Sequence, residues 1–80
     1  MNENEVLKIV EELIRENFDD DSLEITRETV ASDVEDWDSL EQINLLTAMG
    51  KKFNITFSLA DVRNLENVGD MVDLIIRLSK

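Results

Sequence analysis

Between Val6 and Phe18 the apolar residues fall at Val6, Leu7, Ile9, Val10, Leu13, Ile14 and Phe18, spaced so that they share one face of an α-helix. A second helical set, Leu40, Ile43, Leu45, Leu46, Met49 and Phe53, is wider than a single stripe, as suits a central helix with neighbours on more than one side. A third set runs through Val68, Met71, Val72, Leu74, Ile75 and Leu78. Only Phe53-Asn54-Ile55-Thr56-Phe57 alternates like a strand, and it has no partner strand in the chain. An isolated strand would leave its ladder groups unpaired, so this segment reads as an extended connector anchored by Ile55 and Phe57. The expectation is an all-α fold: a small bundle of three longer helices and one short one, with a long loop between helices 1 and 2.

Local signals place the elements. Asn2 with Glu5 suits a capping box for helix 1, expected over about residues 3–17. Helix 2 opens at Asp38, whose carboxylate is placed to accept from the first-turn amides while Glu41 reaches back. Gly50 interrupts it at a cost of roughly 1 kcal/mol against alanine, which points to a close helix approach or a mild kink. Ser58 with Asp61 caps short helix 3, about residues 59–64, and Asn67 with Asp70 starts helix 4. The stretch from Asp19 to Asp38 is long for a loop, and Leu23, Ile25, Val30 and Val34 are expected to turn inward and hold it across the bundle. Asp19-Asp20-Asp21 lacks the alternating ligands, turn glycine and distal glutamate of a calcium loop, so it reads as a solvated turn.

Eighty residues make one domain, spanning 1–80, with a core that has to be efficient to suffice. The chain has no cysteine and no histidine, which removes disulfides, thiolate metal sites and a Ser-His or Cys-His pair. Catalytic and metal-ligating residues are therefore expected to be none. The formal charge is −11, and it is lopsided: residues 1–41 carry 15 acids and 3 bases, residues 42–80 carry 4 acids and 5 bases. Such a field disfavours nucleic acid and anionic membranes and favours basic protein surfaces. The first residues lack the positive start and apolar run of a signal peptide, and no apolar run is long enough to span a bilayer, so a cytoplasmic monomer is expected.

Against this background Ser39 stands where a loop gives way to helix 2. As a nucleophile of its own it lacks a base of suitable pKa. As the acceptor of a phosphodiester it is well placed, because a helix start offers free amides and the positive end of the macrodipole. Asp38-Ser39-Leu40 resembles the attachment motif of the acyl carrier protein family. The likeness continues through Leu45-Leu46-Thr47-Ala48-Met49 and Phe53-Asn54-Ile55 to Asn67-Val68-Gly69-Asp70, covering practically the whole chain.

That resemblance implies that Ser39 carries 4′-phosphopantetheine, transferred from coenzyme A by a phosphopantetheinyl transferase, and that the arm's thiol holds cargo as a thioester. It implies a role for Asp38 in transferase recognition and in the magnesium arrangement of that reaction. Leu40 and Ile43 match apolar contacts that flank the arm. The partners implied are acyl-loading and acyl-processing enzymes with basic docking surfaces, recognised through Trp37, Glu41, Ile43, Asn44, Thr47 and Val62.

The departures bear on cargo. Asn44, Gly50, Lys51, Lys52 and Arg63 stand where fatty-acid carriers are often acidic, and Trp37 resembles the Trp-Asp-Ser-Leu variants of freestanding specialised carriers. A specialised lipid, polyketide or cell-surface pathway is the expectation, with charge setting encounter rate and partner choice. Trp37 is expected mainly to pack the bundle end against the long loop. Leu45, Leu46, Ile55, Val62, Leu65, Val68, Met71 and Leu74 are expected between helices 2, 3 and 4, chiefly as core and secondarily as a place for an acyl chain. The competing reading is an unmodified helical interaction module that binds through its acidic face.

Overall fold

The computed structural model describes residues 2–79 and contains four α-helices: α1 Glu3–Phe18, α2 Ser39–Phe53, α3 Leu59–Arg63 and α4 Val68–Leu78. The all-α architecture expected from the apolar spacing is the one found. All four starts follow from reciprocal or one-way caps between neighbours in sequence, with Asp38 capping α2. Asn2 Oδ1 accepts from the Glu5 amide at 2.8 Å while its Nδ2 donates to the Glu5 carboxylate. Ser58 and Asp61 exchange bonds at 3.1 and 3.3 Å, and Asn67 Oδ1 accepts from the Asp70 amide at 2.8 Å. Asp19 and Asn54, each in the left-handed region, terminate α1 and α2.

The core lies along α1. Val6, Val10 and Ile14 are buried there beside Leu45 and Met49 of α2 and Val68, Val72 and Ile75 of α4. The principal helix contacts are α1 with α4 and α1 with α2; α3 has no contact as extensive with any helix.

The long loop is a fastened structure. Ile25 and Val34 are buried, while Leu23 and Val30 are half-buried, in line with their expected inward turn. The Ile25 amide donates to the Glu11 carboxylate at 3.0 Å, and Arg15 Nε donates to the Leu23 carbonyl at 2.7 Å. The acidic triple forms a turn in which Asp20 accepts from Ser22. A 3₁₀ turn, Ala31–Asp33, adds an element that the apolar pattern gave no sign of.

Arg27 and Thr29 bind the loop to the start of α4. The amides of Val68 and Gly69, which a helix start leaves without internal acceptors, donate to the Thr29 and Arg27 carbonyls at 2.9 and 2.8 Å. A Cβ on Gly69 would stand 3.0 Å from the Arg27 carbonyl and 3.1 Å from its Cβ, so glycine permits this approach. Gly50 answers to a different neighbour from the one expected: a Cβ there would stand 3.0 Å from the Ile55 carbonyl, so the close approach comes from the connector and not from another helix.

Candidate functional site

Ser39 is the first residue of α2, and its side chain is exposed. Asp38 supplies the cap, its Oδ1 accepting from the Glu41 amide and its carbonyl from the Gln42 amide, each at 2.9 Å. The amides of Ser39 and Leu40 have no partner among the described residues. A serine hydroxyl thus stands beside free donors at the positive end of a 15-residue helix.

A cavity of about 510 Å³ opens directly from this point. Asp38, Ser39, Gln42 and Ile43 form its α2 wall, Val62 and Leu65 face them, and Met71 lies on the α4 side. A second groove of about 620 Å³ continues along α2, lined by Leu46, Thr47, Gly50 and Lys51 and by the connector from Asn54 to Ser58. Ile43 and Val62 border both, so the two side chains form the ridge between them.

Trp37 forms part of the first cavity's wall. It is 7 % exposed, packs on Phe18 with ring centroids 5.8 Å apart, and donates from Nε1 to Gln42 Oε1 at 2.7 Å. Packing the bundle end is therefore what its burial shows.

The other expected recognition residues divide. Leu40 is 66 % exposed and Ile43 59 %, large apolar side chains left in water on α2, with Leu59 at 70 % beside the second groove. Asn44 and Thr47 are also exposed, though the Thr47 hydroxyl donates back to the Ile43 carbonyl. Val62 is half-buried. Glu41 requires a correction: among the described residues it makes no bond to the Asp38 amide, and its carboxylate instead accepts from Asn17 Nδ2 of α1 at 3.3 Å and Asn44 Nδ2 at 2.8 Å. A partner across the bundle competes with the local cap and takes the side chain.

Of the apolar residues expected between α2, α3 and α4, Leu45 and Val68 are fully buried core. Val62, Leu65 and Met71 line the first cavity, while Leu46 and Ile55 line the second groove. Lys51, Lys52 and Arg63 are exposed and make no ion pair with a described residue, whereas Arg77 pairs with Asp61 at 3.0 Å. The Ser58 hydroxyl and amide, and to a lesser degree Arg77, hold the Asp61 carboxyl below its ordinary pKa. No group of three or more acidic side chains among the described residues is placed to hold a metal ion.

Sequence reasoning passed over Gln42, Thr29 and Ala31 in this site. The signal for Gln42 is an amide one helical turn beyond Ser39, on the same face, and five residues from an indole donor.

The family model described as a phosphopantetheine attachment site matches residues 4–75. An acyl carrier protein from Exiguobacterium sp. is 35 % identical over 72 residues, covering 90 % of this chain and 91 % of its own length. The solution structure of a holo acyl carrier protein from Geobacter metallireducens superposes with a TM-score of 0.86 at 40 % identity, covering 91 % of this chain and 84 % of that one.

Proposed function

The chain belongs to the acyl carrier protein family, whose members are phosphopantetheine-bearing carriers and not enzymes, and we propose that Ser39 is the residue to which the arm is attached here. The observation that carries this reading is an exposed hydroxyl at the first residue of α2, flanked by two amides without a partner among the described residues and opening onto a cavity. The residues present fit the group. The amides of Ser39 and Leu40, at the positive end of α2, would hold a phosphodiester at Ser39. The bound group supplies the thiol on which cargo is held as a thioester, in a chain that has no cysteine of its own. Asp38 fixes the start of α2 and keeps a second carboxylate oxygen free toward the transferase. The cavity wall of Gln42, Ile43 and Val62 shelters whatever follows the phosphate.

Leu40, Ile43 and Leu59 are the apolar anchors on which partner enzymes dock, with Asn44 and Thr47 at the rim. Glu41 and Trp37 act from beneath, the first by bridging α1 to α2 and the second by shaping the cavity. The acidic first half attracts basic partner surfaces, and the exposed Lys51, Lys52 and Arg63 narrow the choice among them, which favours a specialised biosynthetic pathway over general fatty-acid synthesis. The chain acts as a cytoplasmic monomer in this reading. No helix among the described residues is long and apolar enough to cross a membrane.

Co-expression with a promiscuous phosphopantetheinyl transferase tests the attachment. The intact mass rises by one phosphopantetheinyl group, and Ser39→Ala abolishes the rise; an unmodified wild-type chain contradicts it. The pathway is tested separately: a housekeeping ketosynthase system that elongates on this carrier at normal rates defeats the specialised reading.

A further inference from the structure

Gln42 has a bond on one side of its amide only. An indole N–H is a donor and never an acceptor, so the 2.7 Å contact with Trp37 Nε1 fixes Oε1 as the bonded atom and leaves Nε2 as the other end. Nε2 makes no hydrogen bond to a described residue, yet Gln42 is half-buried and lines the cavity that opens from Ser39. Three residues along a helix place two side chains on one face with Cβ atoms roughly 5–6 Å apart. A donor is therefore held one helical turn from the attachment hydroxyl, while Trp37, buried against Phe18, is in no position to release it.

We propose that Gln42, held in one amide orientation by the Trp37 indole, donates from Nε2 to the acceptor oxygens of the arm nearest its phosphate and docks the arm along the α2 wall of the cavity. The chemistry required is a hydroxyl or amide carbonyl a few bonds beyond the phosphate, both of which phosphopantetheine has. The inference rests on Ser39 carrying the arm. It assigns Gln42 as a positioning residue that keeps the thiol end close to the protein until a partner draws it out.

The test compares the apo and holo forms by NMR after intact mass has shown that Ser39 is loaded. Conversion to holo shifts the Gln42 side-chain NH₂ pair and leaves that of Asn64, bonded to the Ala60 carbonyl on α3, in place. Gln42→Glu keeps an acceptor for Trp37 and removes the donor. In its holo form the carbonyl carbon of the arm's first amide returns toward its position in free phosphopantetheine, the docked population falling roughly two- to tenfold, as loss of one hydrogen bond implies. The Trp37 indole resonance stays where it was. A loaded wild-type protein whose Gln42 pair does not move overturns this inference alone, and needs no variant to do so. A Gln42→Glu protein with an unmoved arm carbonyl and an intact indole resonance overturns it too. A chain that never loads overturns the attachment at Ser39 instead, and this inference with it.

Discussion

The regions around α4 and around α3 are closed in different ways. Toward α4, Val6, Val10, Val72 and Ile75 are wholly buried, the loop is bonded to the start of α4 through the Arg27 and Thr29 carbonyls, and the Arg27 guanidinium pairs with Glu3 and Asp73. Toward α3, the helix is five residues long and buries none of them, two cavities flank its Val62, and Leu40, Ile43 and Leu59 stand in water. One side spends its apolar surface on stability and the other leaves it available. A carrier requires both, a scaffold that holds Ser39 at a fixed helix start and a face that accommodates an arm and successive partners.

The largest expected contrast is in the core. Ile75→Ala removes a fully buried side chain and is expected to cost about 2–5 kcal/mol, a large part of the stability of a domain this small. Val62→Ala, on the ridge between the cavities, is expected to cost about 1 kcal/mol or less, since part of its surface already meets solvent. Denaturant midpoints compare them; equal losses would break the division.

The glycines sharpen it. Gly69→Ala drives a methyl onto the Arg27 carbonyl, Cβ and guanidinium carbon together, at 3.0 to 3.2 Å, and is expected to cost about 1–3 kcal/mol by overpacking. Gly50→Ala meets one backbone oxygen at 3.0 Å in the connector, and the gain in helix propensity, about 1 kcal/mol, offsets most of the clash. Thermal unfolding should order them with Gly69→Ala the lower.

Smaller effects come from charge. Asp61 has its pKa depressed in the folded state, so its contribution to α3 is complete above its ordinary value of 3.8 and is lost as pH falls through the lower folded value. Following its carboxyl carbon through acid titration, Ser58→Ala should raise the midpoint more than Arg77→Gln does, because the Ser58 hydroxyl is the largest cause, while the residue-58 amide bond survives the substitution. Smallest of all, Arg27→Gln removes a half-exposed clasp and should lower the melting temperature slightly, by less as salt is added.

What the sequence disclosed followed the range of each interaction. The starts at Asn2, Ser58 and Asn67 were legible because the cap and its partner lie three residues apart. Glu41 was misread because Asn17, 24 residues away, competes for the same carboxylate. The fastening of the loop to α4 was invisible, since backbone carbonyls of Arg27 and Thr29 carry no signature in residue type, although Gly69 marks where they come close. The place of Ser39 at the start of α2 was legible because the Asp38 cap is local, while its reading as an attachment residue came from the resemblance of Asp38-Ser39-Leu40 to the family motif. Of its cavity, Val62, Leu65 and Met71 were legible as apolar residues between helices 2, 3 and 4, whereas the loop residues Thr29 and Ala31 and the polar Gln42 were not, since no apolar period marks them.

The most direct test of the division between scaffold and presenting face is the amide shift difference, residue by residue, between the apo protein and the protein loaded at Ser39. Perturbations are expected around the cavity, at Trp37, Gln42, Ile43, Val62 and Leu65, with Val6, Val10, Ile14, Val72 and Ile75 unmoved. Shifts of equal size along α1 and the buried face of α4 would contradict it.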